Sequence, residues 1–142
     1  MKIYPLIEHL LVDHKLSLDK SIQDFSEEKI KYLKLFIDFV CHQLELKEPC
    51  DVILVNDREK YNITTGGYNP LNNKIYIYCK NRLLVDIDRT AAHELKHQEQ
   101  RELGLLTPES GMDGDKFENE ANAFAGLMNR KFNKKYPIVY EL

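Results

Sequence analysis

Apolar residues recur at three- and four-residue steps in some stretches of this chain and at two-residue steps in others, and that difference lays out its elements. From Ile30 through Leu33, Ile37 and Val40 to Leu44 the spacing is helical. This helix runs to about residue 46, with Asp24-x-x-Glu27 placed ahead of it as a capping box and Pro49 stopping it. Leu84, Ile87, Ala91 and Leu95 mark a second helical face over 83–103, closed by Gly104. A third helix covers about 116–133, with Asp115 at its cap. Residues 5–16, with Leu6, Ile7, Leu10 and Leu11 after Pro5, read as a short helix.

Strands fill the interval between the first two long helices. Residues 51–56 are a branched run suited to a buried strand, and 74–79 alternate polar and apolar. A weaker strand over 62–68 contains Gly66-Gly67, which suits a bulge or a close approach of another chain. Asn69 to Asn73 make the turn after it. The expected class is α+β: an N-terminal backing helix, a small three-stranded and mostly antiparallel sheet, a central helix and a C-terminal helix. With 142 residues and no linker, repeat or low-complexity segment, 1–142 reads as one domain.

Composition narrows the partners more than the chemistry. The net charge is −3, with no Lys/Arg stripe, which argues against a nucleic-acid partner. Three cysteines, Cys41, Cys50 and Cys79, form no C-x-x-C pair. A disulfide framework and a thiolate zinc knuckle are both disfavoured, and a reducing, cytoplasmic setting fits. The apolar start of the chain is interrupted by Glu8 and His9 and is read as neither signal peptide nor membrane span, so no membrane partner is expected.

The second helix carries the chemistry. It contains His93-Glu94-Leu95-Lys96-His97, and residues four apart share one helical face, so both imidazoles can reach one metal ion. Glu94 can then act on a water at that ion as general base. Three ordinary surface residues would give the same string, so the neighbouring elements have to decide. A catalytic zinc wants three protein ligands and an open position. The last helix offers Glu118 and Glu120 for the third place, and the preceding loop offers Asp113 and Asp115. Glu118 and Glu120 lie about 200° apart round a helix, so they cannot both face the ion. His9, His14 and His42 are read as surface or structural residues.

At this point the chain resembles a known group. His93-Glu94-x-x-His97, followed after 22 residues by Glu120-Ala121-Asn122-x-Phe124-Ala125, is similar to the gluzincins, zinc metallopeptidases whose third ligand is a Glu followed by a small residue. The order of elements resembles the minigluzincins, the smallest of them. The stretch 81–141 also resembles small metallopeptidase-like proteins of large tailed phages. The resemblance covers about residues 50–141 and implies a zincin-like fold and a bound Zn2+. It also implies His93, His97 and Glu120 as ligands, Glu94 as the catalytic base and a peptide or protein substrate. A phage origin would place the protein in the host cytoplasm or the virion. The metzincin pattern is broken by Gln100 and Leu103, and Cys79 lacks the glycine-flanked loop of a peptide deformylase.

Several further roles are left open at this stage. Tyr68, Arg130, Tyr136 and Tyr140 are candidates to stabilise an oxyanion. Asp86, Asp88, Asn119 and Asn122 are candidates to hold a ligand imidazole by its other nitrogen. Substrate would lie along an exposed sheet edge, with loop 104–115 as a lid. Two other readings use the same residues: a zinc-stabilised module without catalysis, and a regulatory protease cutting a single partner.

Overall fold

Extended structure begins earlier than the hydropathy pattern predicts. The computed structural model describes residues 14–106 and 115–142, and its first element is a strand, β1, at His14–Leu18. The expected helix over 5–16 is thereby corrected for residues 14–16. The rest of that stretch, with His9, lies outside the described residues. Then come α1 (Glu27–Leu44), β2 (Cys50–Val55), β3 (Gly66–Asn69) and β4 (Lys74–Tyr78). They are followed by α2 (Leu84–Glu102), α3 (Lys116–Lys135) and a 3-10 turn at Pro137–Glu141.

The class is α+β, but the sheet differs from the three mostly antiparallel strands expected. It has four strands in the order β1-β2-β4-β3. β1 and β4 both run parallel to β2, and only β3 is antiparallel, to β4. Parallel neighbours need a crossover, and α1 supplies it between β1 and β2. Alternation in a sequence reports which side of a strand is buried and carries no sign of its direction.

Register follows from that burial. Val52 pairs with Ile75 and Leu54 with Ile77, and all four are fully buried. They join Leu33, Phe36, Ile37 and Val40 of α1, Ile87, Ala91 and Leu95 of α2, and Ala125, Met128 and Phe132 of α3 in one core. Each large apolar side chain fully buried there contributes about 1.5–3 kcal/mol. On the opposite side Tyr61 stacks on Tyr76 at 4.8 Å and the Arg58 guanidinium lies 5.0 Å above Tyr78.

Local signals set the helix ends. α1 is capped by Ser26, whose Oγ accepts from the Lys29 N–H at 3.1 Å, and not by the expected Asp24 box. Asp115 occupies the N-cap position of α3, as read from the sequence. α2 ends in a paired 6→1 and 5→2 motif: Leu105 N–H reaches Gln100 O, Gly104 N–H reaches Arg101 O, and Gly104 takes φ 72°.

α2 is tied down at both ends. Near its start the Arg82 guanidinium donates to Tyr78 O, Asp86 O and Thr90 Oγ1. At its end the Glu102 carboxylate accepts from the backbone N–H groups of Lys47 and Glu48, while Arg101 pairs with Glu48. In the middle, β3 lies directly on it. A methyl group at Gly66 would overlap Thr90 Cγ2 and sit 3.5 Å from Glu94 Cγ. Glycine here gives the close approach anticipated for the pair, and it brings the sheet's edge strand to Glu94.

Candidate metal centre

His93 and His97 stand one turn apart on the pinned helix, on the face opposite its buried Leu84, Ala91 and Leu95. Their rings meet edge to face with centroids 4.7 Å apart. A third donor arrives from the first turn of α3. Glu118 Oε1 lies 2.6 Å from His93 Nε2, and Glu118 Oε2 lies 3.0 Å from His97 Nε2. Donor atoms from these three residues all fall within 4.8 Å of one another. Tetrahedral zinc, with ligands at about 2.0–2.2 Å, holds its donors about 3.3 Å apart, a separation of the same order as those found here. Two imidazoles and one carboxylate are also the donor set of a catalytic zinc with an open position.

The geometry selects Glu118 where Glu120 was expected. Glu120 is half exposed and faces away, with Oε1 accepting from Gln100 Nε2 at 3.2 Å and lying 3.5 Å from Lys96 Nζ. A sequence signal for Glu118 existed. The buried stripe of α3 is Ala121, Ala125, Met128 and Phe132, and one further step of three back along that stripe reaches Glu118. The Glu120-Ala121 pair that carried the gluzincin resemblance is therefore not the group that meets the imidazoles. Asp115 stands at the N-cap position of α3, and Asp113 lies outside the described residues.

One supporting residue was missed. Gln100 is fully buried, and its Oε1 lies 2.8 Å from His97 Nδ1. Its amide also donates to Phe117 O at 3.0 Å, which fixes the amide's orientation and makes Oε1 the acceptor. With an ion between His97 Nε2 and Glu118, that acceptor would hold the His97 proton on Nδ1 and leave the Nε2 lone pair for the ion. The signal was the i+3 position after His97 on a helix. Of the residues proposed for this role, Asp86 and Asn122 line the cleft. Asp88 is fully buried, and among the described residues neither of its carboxylate oxygens has a hydrogen-bond partner.

Glu94 is 5% exposed and lines the same cleft, with Oε2 3.4 Å from His93 Nδ1. Burial disfavours the His93 imidazolium, but the carboxylates of Glu94 and Glu118 outweigh it and raise its pKa above the ordinary value. The cleft measures about 820 Å³. Its walls are the 64–70 segment with β3 on one side and Glu118, Asn122 and Ala125 of α3 on the other.

Of the oxyanion candidates only Tyr68 lines this cleft. Its hydroxyl donates to Asn73 Oδ1 at 2.7 Å and accepts from Arg101 Nε at 2.6 Å. Tyr136 packs on Tyr32 and Phe132, and Tyr140 is exposed. Cys79 is a buried residue packed in the core, and desolvation pushes its thiol up to about 12. Most of the expected lid, residues 107–114, lies outside the described residues. Among the described residues no helix is long and apolar enough to cross a membrane.

Comparison with family models, curated proteins and solved structures gives no match.

Proposed function

We propose that this chain is a zinc-dependent metallopeptidase with His93, His97 and Glu118 as ligands and Glu94 as general base. The observation that carries the reading is the Glu118 carboxylate spanning both Nε2 atoms inside a cleft that Glu94 also lines. A zinc ion held there would supply Lewis acidity and lower the pKa of a coordinated water to about 7. Glu94 accepts a proton from the attacking water as its oxygen bonds to the scissile carbonyl carbon. It then delivers that proton to the departing amine as the C–N bond breaks. Gln100 keeps His97 in the ligating tautomer. β3, the edge strand beside the cleft, offers free backbone groups along which a peptide or protein substrate can lie extended.

A zinc-stabilised module without catalysis would use the same three donors. It would gain nothing from a carboxylate as buried as Glu94, which costs free energy to desolvate. The test is elemental analysis of protein purified without affinity metals, followed by cleavage profiling on a peptide library. Zinc near one equivalent should be lost in Glu118→Ala and kept in Glu120→Ala. Glu94→Gln should keep zinc and lose cleavage. Failure to take up zinc when it is offered, or full cleavage by Glu94→Gln, would sink the proposal.

A further inference from the structure

The cleft contains two arginines in different situations. Arg82 is spent on the fold: its guanidinium reaches Tyr78 O at 2.8 Å, Thr90 Oγ1 at 2.9 Å, Asp86 O at 3.1 Å and Thr65 O at 3.4 Å. Arg89 is exposed, lines the same cleft and has no hydrogen-bond or ion-pair partner among the described residues. It stands four residues before His93, so the two side chains share one face of α2, one turn apart. The remaining lining is largely polar. Thr64, Thr65, Thr90 and Asn122 outnumber Pro70, Leu106 and Ala125, and these form no deep apolar pocket to select a large hydrophobic side chain.

We propose that Arg89 selects the substrate, and that the substrate carries a carboxylate within about two residues of the scissile bond. The inference rests on the peptidase reading and names its substrate class. Geometry sets the range. One helical turn separates Arg89 from His93 by about 5–6 Å, and an extended peptide advances about 3.3 Å per residue. A guanidinium on that turn meets an Asp or Glu side chain near the reacting carbonyl, or the free C-terminus of a chain cut close to its end. The planar fork pairs bidentately with either. Of the carboxylates lining the cleft, Glu94 and Glu118 belong to the chemistry, and Asp86 neighbours Arg82. Among the described residues, that leaves Arg89 for the ligand.

The test uses the full chain loaded with zinc. Wild-type protein, Arg89→Ala and Arg89→Glu are profiled on a mixed peptide library, each peptide present with a free and with an amidated C-terminus. The expected result is cleavage enriched for Asp or Glu at one fixed position within two residues of the cut. Enrichment that vanishes on amidation would instead assign the terminal carboxylate. In either case Arg89→Ala should lower kcat/KM on the preferred peptide by about tenfold or more and barely change its Gln or amide counterpart. Arg89→Glu should shift preference to Lys and Arg.

Binding of the preferred class of acidic peptide to zinc-loaded Glu94→Gln, with and without Arg89→Ala, separates the two claims. Arg89-dependent binding without any turnover by the wild type upholds the carboxylate site and overturns the peptidase reading. Cleavage with no carboxylate preference, or a preference unchanged in Arg89→Ala, overturns the assignment of Arg89 and leaves the peptidase reading standing. Neither binding nor cleavage overturns both.

Discussion

Gln100 offers the most direct check on how the site is held together. The residue makes three hydrogen bonds: Oε1 to His97 Nδ1 at 2.8 Å, and Nε2 to Phe117 O at 3.0 Å and Glu120 Oε1 at 3.2 Å. The first fixes a ligand, and the second ties α2 to the turn that carries Glu118. Gln100→Ala removes both and strands a buried N–H on the His97 ring, while the Phe117 carbonyl keeps its partner within α3. That stranded group costs about 1–3 kcal/mol, so the apo protein should lose about that much stability. Zinc affinity should fall about 10–100-fold, the usual effect of removing a group that orients a metal-bound imidazole. That corresponds to about 1.4–2.7 kcal/mol.

Gln100→Glu separates the two jobs. Its carboxylate can still accept from Nδ1–H, but it cannot donate to Phe117 O, and it meets the Glu120 carboxylate. Metal affinity should therefore fall less than in Gln100→Ala, while the apo protein is still destabilised. The assay is competitive titration with a zinc chelator at fixed pH, alongside thermal unfolding of the apo proteins. Zinc affinity of Gln100→Ala within twofold of wild type would refute the argument that this amide holds the ring.

Other outcomes follow from groups in the fold. Asp88 is fully buried with no side-chain hydrogen bond among the described residues, and burial pushes its carboxyl well above the usual carboxylate range. Because the folded pKa exceeds the unfolded value near 3.9, the contribution of Asp88 to stability is most favourable below about pH 3.9 and declines as pH rises from there through the folded pKa, by about 1.4 kcal/mol per pH unit within that window. Asp88→Asn should flatten this decline and raise the melting temperature at neutral pH; a pH profile parallel to wild type would contradict it. Gly66→Ala should cost about 1–3 kcal/mol through the overlap with Thr90 Cγ2. Thr90→Ser removes that methyl but keeps the hydroxyl for Arg82, so the double variant should recover much of the loss in a denaturant titration, and strictly additive costs would rule the contact out.

Much of the scaffold was legible because burial imposes a period. Leu33, Ile37, Val40 and Leu44 of α1 and Ile87, Ala91 and Leu95 of α2 are buried at the positions their spacing predicts, and β2 and β4 follow their branched or alternating runs. β1 was hidden because His14–Leu18 offers only five residues with one half-buried leucine, Leu16, too few to separate a two-residue period from a helical one. Its parallel pairing was invisible for a stronger reason, since direction is set by the path of α1 and not by any local pattern. The choice between Glu118 and Glu120 was a question of helix phase. Motif similarity pointed to the carboxylate beside Ala121, whereas packing of Ala121, Ala125 and Met128 turned the other one inward.

The two fastenings of α2 bear on how a metal would come and go. His93 and His97 ride on a helix held at one end by Arg82 and at the other by Glu102. Glu118 sits on the first turn of a separate helix, three residues past its N-cap position at Asp115. A bound ion is then a crosslink between a fixed rail and a turn that can fray, with Gln100 as the latch between them. Residence time of the ion and opening of that one turn become the same clock. Substitutions that stiffen residues 115–118 would slow exchange without touching a ligand, and the core could stay folded while the ion leaves.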